Sequence, residues 1–181
     1  MRSPHIEFVR HGRERGAVLV TAMLLLLVLT VIGVTVMQMS RMQERMAGNS
    51  RDVNLAFQAA EGALRNGELY IGDQDTRPLP CANGDCDSKV WVEGSADGAV
   101  ANKDAEWWEE NGEAFDLETI AGLAEEPQAV IEELGFVRTD GGVVMGQDPP
   151  DGRDFYQVTS RSTGGSGQAE VVLQSTFTRK F

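Results

Sequence analysis

Hydrophobic positions follow three successive spacings along this chain. From residue 16 to residue 40 no charge interrupts GAVLVTAMLLLLVLTVIGVTVMQMS. A helix crosses the hydrocarbon core of a bilayer with about 20 apolar residues at about 1.5 Å each, so this run is long enough to span. After Arg41 the pattern becomes amphipathic. Met42, Met46, Val53, Ala56, Ala60 and Leu64 fall on one face of a helix, and Ala59 and Ala63 widen the stripe. Glu44, Arg51, Asp52, Asn54, Glu61 and Arg65 occupy much of the remainder. The methionines read as packing residues, since thioethers fill irregular apolar gaps. Gly48-Asn49 is the one point where the helix could bend or break. A helix over residues 17–70 would be about 80 Å long, far more than a bilayer needs. The expected organisation is a short N-terminal segment (1–16), a transmembrane helix (17–40), an amphipathic stalk (41–70) and a head (71–181).

The third pattern belongs to the head. Residues 66–89, NGELYIGDQDTRPLPCANGDCDSK, are rich in Gly, Pro, Asn and Asp and read as loop. A short strand is expected at Lys89–Glu93, where Val90 and Val92 alternate around Trp91. Further strands are expected at Gln128–Leu134, Phe136–Thr139, Val143–Met145, Phe155–Arg161 and Ala169–Thr178. STGGSGQ between the last two is a Gly-rich loop of hairpin length, Asp140-Gly141-Gly142 is another turn, and PPDGRD a third. Short connections favour an antiparallel sheet, and a helix packed on one face would make the head α+β.

Charge fixes an orientation for this layout. Lys plus Arg is 16 against 28 Asp plus Glu, a formal net charge of −12. That excess argues against a general nucleic-acid binder. The acids are not evenly spread, because Arg2, Arg10, Arg13 and Arg15 outnumber Glu7 and Glu14 before the apolar run. Basic flanks stay cytoplasmic, so the head faces outward. Three readings fit the N-terminus. A secretory signal needs an apolar stretch of about 7–15 residues and a small-x-small cleavage site; this run is longer, and SRMQERMAGNS after it matches poorly. A plain single-pass anchor is the second. The third is a type III leader, cut on the cytoplasmic side before an intact helix, as in RERG|AVLVTAMLLLL with Gly16 at the cut and Ala17 as the new terminus.

Candidate chemistry in the head is sparse. Cys81 and Cys86 enclose the turn ANGD. Outside the cytoplasm this spacing suggests a small disulfide worth about 2 kcal/mol, rather than a metal site or a C-x-x-C redox pair. His5 and His11 are the two histidines, so the head has no imidazole for a Ser-His-Asp or Cys-His arrangement. STGGSGQ lacks the GxxxxGK[ST] pattern of a phosphate cradle. Asp148, Asp151 and Asp154 with Gly152 do not match the EF-hand loop, so no metal or cofactor is expected. Trp107-Trp108, within an acidic stretch, is the candidate partner contact; alternatively one ring fills the core and the other covers its edge.

RGAVLVTAMLLLLVLTVIGV and QERMAGNSRDVNLAFQAAEGALR resemble the N-terminal region of PilX-type minor pilins of type IV pili. WWEENG and DFYQVTSRSTGGSGQAEVVLQSTF resemble the same family, and the match is loosest over residues 66–135. The resemblance implies a type IV pilin-like α+β fold and a non-enzymatic assembly subunit. A prepilin peptidase would cut after Gly16 and methylate Ala17. The helix would first hold the subunit in the inner membrane and later pack in a filament core. Partners implied are other minor pilins, the major pilin, the inner-membrane assembly platform and a tip adhesin. Pilins resemble one another in carrying a glutamate at the fifth mature position, and here that position is Thr21. A buried carboxylate must be neutralised, in pilins by a neighbour's terminal amine. A subunit lacking it suits one end of the filament, which implies a tip position, initiation of assembly, and support for twitching and adhesion. A type II secretion pseudopilin and an unprocessed membrane-anchored binding or sensor domain are the alternatives.

Overall fold

A computed structural model describes residues 15–82, 88–114, 120–138 and 152–181. Helix α1 covers Arg15–Gly72, and Gly48 and Asn49 are helical within it. By its contacts the chain divides into two units, with the boundary between Ala47 and Gly48. In the first unit the described residues are all helix, and their side chains from Ala17 onward are exposed. Among the described residues, one helix is long and apolar enough to cross a membrane.

The second unit is an α+β fold with a four-stranded sheet in the order β1-β2-β3-β4. The strands are β1 (Val90–Val92), β2 (Gln128–Arg138), β3 (Gly152–Thr163) and β4 (Glu170–Arg179). β2, β3 and β4 run antiparallel, but β1 pairs parallel to β2, with Val90 opposite Ile131. The sheet is therefore mixed rather than antiparallel throughout. The segments 128–134 and 136–138 form one strand, because Gly135 (φ +123°) absorbs a bulge that keeps the pairing going, and Thr139 lies outside the described residues. β3 begins at Gly152, so the second half of PPDGRD is strand rather than turn. The expected strand at Val143–Met145, the turn at Asp140-Gly141-Gly142 and the residues Asp148 and Asp151 lie outside the described residues.

Alternation along the strands loads both faces of the sheet. Val90, Ala129, Ile131, Tyr156 and Val158 point to one face and meet Ala63 and Ile71 of α1. This half of α1 packs through small residues: Ala56, Ala59, Ala60 and Ala63 are fully buried. Gly67 continues the stripe, and a β-carbon there would lie 2.7 Å from Val158 Cγ1. Small residues let a helix backbone approach a sheet closely, and buried side chains of Val or Ile size each contribute about 1.5–3 kcal/mol. Residues 66–72 are helical and not loop, because burying Ile71 and seating the Tyr70 hydroxyl on Ser88 O (2.8 Å) outweigh the poor propensity of Gly67. The helix ends where Arg179 donates to Ile71 O, satisfying one of its last carbonyls.

The opposite face carries Trp91 and Val130, packed with Ala96, Val100 and Trp108. A 3₁₀ turn at Val100–Asn102 and helix α2 (Ala105–Asn111) build this second layer. Asp104 caps α2 by accepting from Trp107 N at 3.0 Å. Further along the same face Arg161 is buried and ion-paired with Glu170 (3.0 Å) and Glu125 (3.6 Å).

Candidate functional site

The first candidate surface is the N-terminal half of α1. Its leucines, valines and methionines stand in the open: Val18 is 68 % exposed, Leu25 63 % and Met37 68 %. Three threonine hydroxyls interrupt this surface, and each turns back onto its own helix. Thr21 donates to Val18 O (3.0 Å), Thr30 to Leu27 O (2.7 Å) and Thr35 to Ile32 O (2.8 Å). Satisfied this way, a threonine presents its methyl group outward and makes no polar demand on what covers it. Thr21 therefore differs from a carboxylate, which would require an external cation in the same place. A β-carbon on Gly33 would meet nothing within 4 Å, so this glycine answers no need of the chain's own packing. Gly16 and Ala17 are helical in backbone. His5 and His11 lie outside the described residues.

In the head, the β3–β4 loop clamps onto α1. Asp52 accepts from Ser166 N at 3.0 Å and from the Ser166 hydroxyl. These two bonds, the hydroxyl first, hold the Asp52 carboxyl below its ordinary value of 3.8. The glycines of STGGSG explain themselves here. A β-carbon on Gly164 would sit 2.6 Å from Asp52 Cγ, and one on Gly165 would sit 2.5 Å from Gly122 O. Gly167 takes φ +70°, which closes the turn. Since the folded-state value is lowered, the clamp contributes stability above the unfolded value and loses it as pH falls below 3.8 toward the lower folded value. Asp52→Asn is expected to melt below the natural protein at neutral pH, with the gap closing as the solution is acidified through that window. Thermal melting at stepped pH reads this directly.

A second polar knot lies between the sheet and the segment after α1. Arg77 pairs with Glu133 and, at 3.2 Å, with Asp154. Burial raises the Asp154 carboxyl above its ordinary value; the nearby Arg77 opposes this and Glu133 adds to it. Burial, then the two carboxylates, push the Tyr156 phenol up to about 12, so it stays a neutral hydroxyl. The arrangement ties a loop to the sheet. Neither the clamp nor the knot carries a sequence signature, since each joins residues far apart in the chain.

The tryptophans form a third feature. Trp108 is fully buried, whereas Trp107 is half-exposed. Trp107 stands edge-on to Trp108, with ring centroids 5.6 Å apart, and tilts against Trp91 at 5.7 Å. Lys103 Nζ lies 5.5 Å from the Trp107 ring centroid. Cys81 sits beside this layer in a bridge to Trp91, and Cys86 lies outside the described residues. Among the described residues no group of three or more His, Cys, Asp or Glu is placed to hold a metal.

Two family models match the chain. PilX N-terminal covers residues 15–65, and Type IV pilus assembly protein PilX C-term covers residues 57–179. Comparison with curated proteins and with solved structures returned no match. The apolar helix fits an inner-membrane anchor for a pilin, and PilX pilins are structural components of the pilus rather than enzymes. With both models satisfied in order along one long helix and one α+β head, the chain belongs to the PilX family of type IV pilus minor pilins.

Proposed function

We propose that this minor pilin helps to initiate type IV pilus assembly within a complex at the filament tip. The observation that carries the reading is Thr21, whose hydroxyl is already satisfied at Val18 O. In the filament core a subunit with this residue asks nothing of a neighbouring terminal amine. It can occupy the end of the fibre, where one neighbour is missing. Prepilin peptidase cuts after Gly16 and methylates Ala17, leaving residues 17–40 as the membrane-spanning and then filament-core helix. Residues 41–70 serve as the stalk, and residues 71–181 as the head.

Assembly proceeds by packing the apolar helix against homologous helices. Ala17, Ala22 and Gly33 permit close approach, because helices in lipid associate through contact between small residues. Basic Arg13 and Arg15 keep the leader cytoplasmic, so the head stands in the periplasm and later outside the cell. There the Cys81–Cys86 disulfide closes its small loop. Other minor pilins, the major pilin, the inner-membrane platform and a tip adhesin are the partners, and twitching and adhesion are the processes served. Deleting the subunit is expected to reduce the number of surface pili and to strip the other minor pilins from sheared tips. Electron microscopy and proteomics of sheared pili check this, and unchanged pilus number with unchanged tip composition overturns it.

A further inference from the structure

The Trp107 face of the head holds a groove. Its volume is about 240 Å³, and Trp91, Trp107, Ser95, Asp97, Lys103 and Asn111 line it. We propose that this groove binds one pyranose unit of a saccharide, either neutral or amino-bearing, and rejects acidic sugars.

Several observations converge on that ligand. The half-exposed Trp107 ring is fixed by Trp91 and Trp108, and a flat indole matches the C–H face of a pyranose. Hydrogen-bonding groups surround the ring. Ser95 lines the groove, and its buried Oγ has no partner among the described residues. Asn111 donates its amide N–H to Trp107 O at 2.8 Å, which leaves its carbonyl oxygen as an acceptor. Asp97 adds a carboxylate at the rim. A purely apolar ligand would leave these groups unmet.

Charge narrows the class. Between residues 93 and 113 there are seven carboxylates and one lysine, so a uronic or sialic acid is repelled. The lysine itself shows that the ring accepts an ammonium group. Lys103 Nζ sits over Trp107 and donates to Asp97 O at 3.1 Å. The ammonium of an amino sugar fits the same place once this flexible side chain swings away.

All three tryptophans of the chain belong to this cluster, so tryptophan emission reports on the groove and the packed layer beneath it. The full chain in a detergent without sugar head groups is titrated with glucosamine, glucose, glucuronate and tetralysine. Glucosamine and glucose are expected to give a saturable change with half-saturation at about 1 mM, the range open to a ligand of this size. Glucuronate is expected to bind at least about tenfold more weakly, since like charges oppose it. Trp107→Ala is expected to abolish the response while Trp91 and Trp108 still emit. The exposed Asp97→Asn, which leaves the core untouched, should weaken glucosamine more than glucose. A flat response to both sugars overturns the proposal. So does saturation by tetralysine alone, which would make the groove a site for basic peptide. The measurement uses the isolated chain, so its outcome is separate from that of the assembly role.

Discussion

Trp108→Ala is expected to destabilise the head by about 3–5 kcal/mol, the range for removing a large aromatic from a packed core. Trp108 is fully buried and joins Trp91, Val100 and Val130, so it connects α2 and the 3₁₀ turn to the outer face of the sheet. Without the indole that layer loses its centre, and the chain around it cannot collapse without moving β1. For a head of this size about 1 kcal/mol corresponds to roughly 4–8 °C, so the melting temperature should fall by at least about 12 °C. Near-ultraviolet circular dichroism of the full chain follows the loss of tertiary packing, while the apolar half of α1 is expected to stay helical. Trp107→Ala is the control. Its ring is half-exposed, so the same measurement should show a much smaller drop.

Gly67→Leu is expected to lower stability by about 3 kcal/mol or more, at the upper end of overpacking effects. Leucine would strengthen the helix by about 1 kcal/mol over glycine on propensity alone, so only the packing can reverse the sign. The packing is severe. Even one β-carbon at this position meets Val158 Cγ1 at 2.7 Å, with Ile131 and Ala129 just beyond. Val158 is fully buried in the strand opposite and has no space to yield. Gly67→Ala isolates the contact, because Val158→Ala removes the atom it strikes. In the Val158→Ala background the penalty of Gly67→Ala should shrink or vanish, a coupling read from a double-mutant cycle in denaturant.

The parts of the molecule that could be read from sequence share one property: their cause is local. An uninterrupted apolar run between Arg15 and Arg41 can only be a helix seeking lipid or other helices, and the structure gives that helix. The bond from Thr21 to its own backbone is equally local and follows from the residue type. The misread parts depend on distant partners. Residues 66–72 look like loop until Ile71 and Tyr70 find the sheet. A three-residue strand such as β1 carries too little pattern to choose a direction, and its parallel pairing with β2 depends on the chain between them. Gly135 looks like a break between two strands, yet its positive φ lets one strand pass through a bulge. The Asp52 clamp was out of reach for the same reason: its two sides are 114 residues apart. The sequence marks STGGSGQ only as a Gly-rich loop of hairpin length, and the close approach of Gly164 to Asp52 appears in the structure alone.

Release of the apolar helix from its leader and its entry into a filament are what the assembly role requires. Intact-mass measurement of this chain from sheared, purified pili tests it most directly. The chain is expected in that fraction, beginning at an N-methylated Ala17 with residues 1–16 removed. A chain that keeps residues 1–16, stays in the inner membrane and is absent from the pilus fraction would contradict it.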